Sequence, residues 1–275
     1  PLDGIREEII TDTSLSLGSD YNIFDLIPDH AKKLKINNPI ISNDDLEKIK
    51  YIDHEDFKAC SINANYEISK GHNGLEKALD NIVDKVEKKV DTNHNIIILS
   101  DRKTSKKHAP IPILLVCSYV HHSLIKRNKR SKFGIVIESA EPREPHHFSM
   151  LFGYGASAIN PYMVNEIIEY HHKLGFLNEQ KLDKSVDNFN KAIAKGILKV
   201  MNKIGISTLH SYRGSQIFEA LGLRKKFVDK YFNNTPSRIE GIGLYVLEKE
   251  ISERLNTAFN SEVDINKLEM GGEYR

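Results

Sequence analysis

Three short uncharged runs limit what this chain can fold into. Ile96-Ile97-Ile98-Leu99, Gly134-Ile135-Val136-Ile137 and Ala156-Ser157-Ala158-Ile159 are each followed by polar residues and are separated by helix-length segments. A β-branched run without alternation suits a strand buried on both faces, as in a parallel sheet, where crossover helices cover each side. The order over residues 96–162 is therefore strand, helix, strand, helix, strand. The polar residues after the strands, among them Asp101, Arg102, Glu138, Arg143, Asn160 and Tyr162, fall at the carboxyl ends, where α/β folds place their sites.

The helical pattern extends on both sides. Leu75, Leu79, Ile82, Val83, Val86 and Val90 form one stripe, and Val186, Phe189, Ile193, Ile197, Val200 and Ile204 form a second, stopped by Gly205. The stretch from Ala109 to Lys126 is apolar all round and predicts a buried helix. Helices are also expected over Glu144–Phe152, Met163–Leu174, Ser215–Leu221, Arg224–Phe232 and Leu244–Ala258, and strands over residues 61–68 and Ile206–Leu209. A polar connection spans Gly175 to Asp187. Residues 1–60 are weakly periodic and read as a wrapping segment around an α/β core over 61–275, the whole being a single domain. The expected fold is a parallel-sheet, (β/α) barrel-like or doubly wound domain.

Several motifs weaken on inspection. Lys126-Arg127-Asn128-Lys129-Arg130-Ser131-Lys132 resembles a nucleic-acid patch, but with 39 Lys and Arg against 38 Asp and Glu there is no global pull towards a polyanion, and a solvated basic loop explains it. His121-His122, His146-His147 and His171-His172 are adjacent pairs, and neighbours on a helix point about 100° apart rather than at one ion. Gly153-Tyr-Gly155-Ala follows a helix and precedes a strand, the wrong order for cradling a pyrophosphate. The two cysteines, Cys60 and Cys117, cannot form a disulfide framework or a multi-cysteine metal site. No stretch reaches the roughly 18 to 20 apolar residues of a membrane span, and no signal-peptide pattern opens the chain. A soluble, cytoplasmic protein is expected, with no nucleic-acid or membrane partner.

The polar set Asp101, Arg102, Glu138, Arg143, Glu144, Asn160, Tyr162, Tyr212 and Arg213 admits two readings: a polar site, or an ion-pair network closing the sheet. The second predicts that Asp101, Arg102, Glu138, Arg143 and Arg213 meet as a structural charge network. Lys195, Lys199 and Lys203, on the long helix, form a solvated face or a docking surface.

Ile98-Leu-Ser-Asp-Arg102, His108-Ala-Pro-Ile-Pro112, Glu141-Pro-Arg-Glu-Pro-His-His147, Gly153-Tyr-Gly-Ala156, Ile159-Asn-Pro-Tyr162, Lys195-Gly-Ile-Leu-Lys-Val-Met201, Gly205-Ile-Ser-Thr208 and Ser211-Tyr-Arg-Gly214 together resemble the central domain of the glutamate synthase large subunit. The likeness runs from Ile5-Arg-Glu-Glu8 to Thr235-Pro-Ser-Arg-Ile239 and Gly271-Gly-Glu-Tyr274, departing at His210 and Ser215, where Gln and Ala would be expected. It implies a connecting domain related in topology to the flavin barrel. Such a domain would join a cysteine-led glutaminase domain to a domain carrying FMN and an iron-sulfur cluster, and help shape the ammonia route between them in glutamate biosynthesis. No catalytic, cofactor-binding or metal-binding residue is then expected in this chain, and weak self-association is expected of surfaces that neighbouring domains would cover. The rival from another class is a free-standing barrel-type metal hydrolase built on Glu138 to His147.

Overall fold

The computed structural model describes residues 4–177 and 181–260. The chain opens with α1 (Gly4–Ile10), an antiparallel pair β1 (Leu15–Leu17) and β2 (Leu34–Ile36), and α2 (Asn43–Lys50). The body alternates: β3 (Ala59–Asn63), β4 (Asn65–Glu67), α3 (Gly71–Asp91), β5 (Ile96–Ser100), β6 (His108–Pro110), α4 (Ile113–Lys126), β7 (Gly134–Glu138), α5 (Pro145–Gly153), β8 (Ala158–Asn160) and α6 (Tyr162–Lys173). After the connection come α7 (Leu182–Ile204), α8 (Leu209–Tyr212), β9 (Ala220–Leu223), α9 (Lys225–Tyr231), β10 (Ser237–Ile242) and α10 (Leu244–Phe259).

Strands β3, β5, β7 and β8 form one parallel sheet in chain order, each beside its predecessor, which is the order of a β/α barrel wall. The register aligns Asn63 with Ser100, Ser100 with Glu138, and Glu138 with Asn160, so the last residues of four strands form one row at the carboxyl edge. Both faces are dry. Ile97, Leu99, Ile135, Ile137 and Ile159 pack with side chains of α3, α4 and α5, while Ile96, Ile98, Val136 and Ala158 meet Leu17, Ile36, Ile41, Leu46 and Ile49. Residues 15–49 thus supply the second apolar layer. They also lengthen the sheet, because Ile159 N–H donates to the Pro39 carbonyl and Ile41 N–H to the Ile159 carbonyl.

Four expectations differ from the structure. Ile206–Leu209 is not a strand: Thr208 turns the chain by accepting the Ser211 N–H on its side chain, capping α8, and the segment's strand-like pairing is limited to a single bridge between Thr208 and Asp12. Residues 215–221 do not form a helix, because Gly214 and Gln216 hold positive φ of 75° and 56° and the chain runs extended into β9. Its parallel partner is β10, and their backbones approach so closely that a Cβ on Gly241 would lie 2.3 Å from the Gly222 carbonyl oxygen. Residues 61–68 split between β3 and β4, which belong to different sheets. The all-apolar helix begins at Ile113 rather than 109, after Pro110 and Pro112 have kept the preceding residues extended. Among the described residues no helix is long and apolar enough to cross a membrane. The Gly271–Tyr274 motif lies outside the described residues.

Candidate functional site

The carboxyl edge concentrates the polar groups. Asp101 and Glu138 are 1% and 2% exposed, so each carboxylate must find its hydrogen bonds inside the protein. Asp101 accepts from Ser139 Oγ at 2.5 Å, from Tyr162 Oη at 2.7 Å and from the Ala140 N–H at 3.1 Å. No cation contacts it directly among the described residues, and burial, reinforced by the Glu138 charge, raises its pKa above the ordinary carboxylate value. Tyr162 is raised likewise, by burial and then by the Asp101 charge.

Glu138 is treated differently. Burial alone would push its pKa up, but hydrogen bonds from Ser100, Lys50 and Arg102 outweigh it and the net shift is downward. Lys50 Nζ donates to Glu138 Oε1 at 3.0 Å and Arg102 Nε at 2.8 Å. Arg102 also reaches Glu166 at 3.1 Å and lies over the Tyr162 ring, 4.2 Å from its centroid. Lys50 stands 88 residues from Glu138 in sequence, at the end of α2. The same helix sends in Asn43, whose Oδ1 accepts from the side chains of Asn160 at 3.0 Å and Asn165 at 3.1 Å. Lys50 and Asn43 close the edge, and the strand-end pattern of the sequence points to neither; α2 carries both, capped at Ser42, whose side chain accepts the Asp45 N–H.

Of the five residues expected to meet, Asp101, Arg102 and Glu138 do. Arg143 is exposed, its backbone N–H donating to His147 Nδ1 at 3.3 Å. Arg213 belongs to the opposite, amino-terminal edge, where Nη1 donates to Ser157 Oγ at 3.0 Å just before β8. The misplacement has a physical cause: with no strand at 206–209, α8 carries Arg213 away from the carboxyl ends. Glu141, inside the segment of the metal-hydrolase reading, accepts the Ile113 N–H at 2.9 Å and so caps α4; burial raises its pKa. Glu138 is already engaged by two cations, and among the described residues no group of three or more His, Cys, Asp and Glu is placed to hold a metal ion. The metal-hydrolase reading finds no support.

Two members of the basic run at the end of α4, Arg127 and Lys129, are neutralised in place. Arg127 pairs with Asp84 and Glu87, and Lys129 with Glu87 and Asp91, the three carboxylates all lying on α3. Lys195, Lys199 and Lys203 are exposed on α7, with Lys195 3.5 Å from Glu8.

A family model described as the glutamate synthase central domain matches residues 1–224. The chain belongs to that family. It is 35% identical over 275 residues to the glutamate synthase (NADPH) large chain of Bacillus subtilis (strain 168), covering all of this chain and 18% of that protein. It is 36% identical over 248 residues to the glutamate synthase (NADH) of Schizosaccharomyces pombe, covering 88% of this chain and 12% of that one. With the ferredoxin-dependent glutamate synthase of Pyropia yezoensis the identity is 32%, over 99% of this chain and 19% of the relative. The chain thus spans less than a fifth of the length of these curated relatives. Among solved structures, a flavocytochrome b2 variant with benzoylformate overlaps 54% of this chain and 38% of that one at 13% identity and a TM-score of 0.35.

Proposed function

We propose that this chain is the connecting domain of a glutamate synthase large chain. In this reading it holds a glutaminase domain against an FMN and iron-sulfur synthase domain and forms part of the wall along which ammonia passes between them. The observation that carries the reading is the closed carboxyl edge. Where a β/α enzyme keeps its reacting groups open to substrate, the row Ser100, Glu138 and Asn160 is filled by the chain's own Lys50, Arg102 and Asn43. The side chains there tie α2 and the turn after β5 to the strand ends.

The thiols support placing the cluster elsewhere. An iron-sulfur centre held by thiolates alone takes four of them, and this sequence offers two cysteines. Burial pushes Cys60 up to about 11 and Cys117 up to about 12, so both stay protonated and are poor ligands. The residues of this chain do not fit the cluster.

Lys195, Lys199 and Lys203 are the interdomain face in this proposal, and the exposed Ile23, Phe24 and Leu26 are apolar side chains that a neighbouring domain would cover, or that would drive weak self-association of the isolated chain. In the full-length parent, replacing the three lysines by glutamate is expected to lower glutamine-dependent glutamate formation while leaving glutamine hydrolysis and ammonia-dependent synthesis each intact. Unchanged coupling, or loss of either half-reaction alone, would count against it.

A further inference from the structure

The amino-terminal edge of the sheet has the opposite electrostatic character. Arg130 donates from Nε to His121 Nδ1 at 2.8 Å, from Nη1 to the Phe133 carbonyl at 2.7 Å and from Nη2 to the Gly155 carbonyl at 2.8 Å. Arg213 reaches Ser157 Oγ and, at 3.0 Å, His210 Nδ1. All these acceptors are neutral. Neither guanidinium has a carboxylate within ion-pair distance among the described residues, and Asp20, the carboxylate whose charge both feel, pairs with Lys33. Burial and the neighbouring Arg213 charge lower Arg130 to about 9.

Beside this pair, between α4 and the loops around 214–218 and 233–235, lies a cleft of about 170 Å³. It is lined in part by His121, His122, Lys126, Gly214, Gln216 and Asn234, and none of its lining residues is Asp or Glu. Three of these, Gly214, Gln216 and Asn234, hold positive φ of 75°, 56° and 62°, an arrangement that costs energy for Gln216 and is kept only where the surroundings enforce it. The imidazole tautomers follow from their partners. Arg130 can only donate, so His121 Nδ1 is the acceptor and the His121 proton sits on Nε2. His122 Nδ1, 2.9 Å from the Ser118 carbonyl, is the donor in that contact.

We propose that this cleft binds a small oxyanion, a carboxylate or phosphate group, with the Lys126 ammonium and the His121 Nε2–H as its donors and the Arg130–Arg213 pair supplying the positive field. Two desolvated guanidiniums without a counter-charge leave Coulomb energy that an anion recovers. A cleft free of carboxylates offers no competing repulsion. The site lies at the other end of the sheet from the charge network and does not rest on the connecting-domain reading.

The test is a titration of the 275-residue chain at constant ionic strength, with inorganic phosphate in one arm and acetate in the other, followed by imidazole and backbone amide resonances. Saturable shifts at His121, Gly214 and Asn234, with Kd on the order of 1 mM, are expected in at least one arm. The arm that saturates identifies the oxyanion. Lys126→Gln, an exposed position, should weaken binding about tenfold. Lys129→Gln, whose ammonium is held by Glu87 and Asp91, should leave it unchanged. Shifts that rise linearly in both arms, or an affinity that Lys126→Gln does not alter, would overturn the proposal.

Discussion

The two ends of the parallel sheet handle buried charge in opposite ways. At the carboxyl edge, Glu138 is matched by Lys50 and Arg102 and its pKa falls below the ordinary value. At the amino edge, Arg130 and Arg213 rest on carbonyls, a hydroxyl and imidazoles, and burial lowers both. A matched pair tolerates burial because each charge replaces the other's water; guanidiniums held by neutral dipoles remain open to any anion that can reach them. The first arrangement fastens α2 to the core, and the second leaves a positive field beside an open cleft.

The largest expected effect tests how rigid the amino edge is. Gly155 has φ of 112°, and a Cβ there would stand 2.3 Å from His121 Nδ1. His121 cannot swing aside without giving up Arg130 Nε, and Gly155 also supplies a carbonyl to the same guanidinium. Gly155→Ala should therefore combine backbone strain with overpacking and cost about 3 kcal/mol or more, read as a lowered denaturation midpoint with an unchanged slope. A loss under about 1 kcal/mol would mean this edge yields easily.

At the carboxyl edge, Glu138→Gln keeps the shape and removes the charge, leaving Lys50 and Arg102 to a neutral acceptor. A cost of about 1 to 3 kcal/mol is expected, measured by denaturant unfolding, with Arg102 retaining its second carboxylate at Glu166. No change would mean the network contributes nothing to holding α2 against the sheet.

These residues also show where a linear reading succeeds. Ile96 to Ser100 is legible as a buried strand because both faces need apolar side chains, and the α3 and α7 stripes are legible because helical periodicity is local. Asp101, Arg102 and Glu138 follow as strand-end residues of adjacent strands. Lys50 does not, since nothing near it announces a partner 88 residues away. The misplacement of Arg213 traces to one local error, the reading of Ile206–Leu209 as a strand, where Thr208 is a helix cap. β9 and β10 are hard to see because none of their residues is buried and they contain glycines that serve backbone approach.

Acid separates the two ends further. His121 is pushed down to about 2, first by burial and then by the Arg130 charge. Between about 2 and its ordinary 6.5 the unfolded chain binds a proton that the folded chain refuses, so this group's contribution is full above 6.5 and falls as pH drops below it. Glu138 is also lowered, and its contribution is present above the ordinary 4.5 and lost as pH falls below it. Asp101 is raised, so its contribution is full below the ordinary 3.8 and lost as pH rises through its folded value, which opposes Glu138 in the acid range. Stability measured against pH should decline from near 6.5 and again below 4.5. His121→Gln, whose amide oxygen can still accept from Arg130, should reduce the first decline, and Glu138→Gln the second. One decline removed by both variants would show that the two ends do not titrate independently.

The smallest effect belongs to charges outside both ends. Lys199 and Lys203 are exposed on α7 with no ion pair among the described residues, and solvent screens them. Replacing both by glutamine should change the stability of the 275-residue chain by no more than about 0.5 kcal/mol, checked by thermal unfolding beside Glu138→Gln. That contrast distinguishes a docking face from a structural one. Side chains kept for a partner cost the isolated fold almost nothing when removed, whereas Glu138 already has its partners inside the chain. A double variant that destabilised the chain as much as Glu138→Gln would assign these lysines to the fold itself and count against the proposed interdomain face.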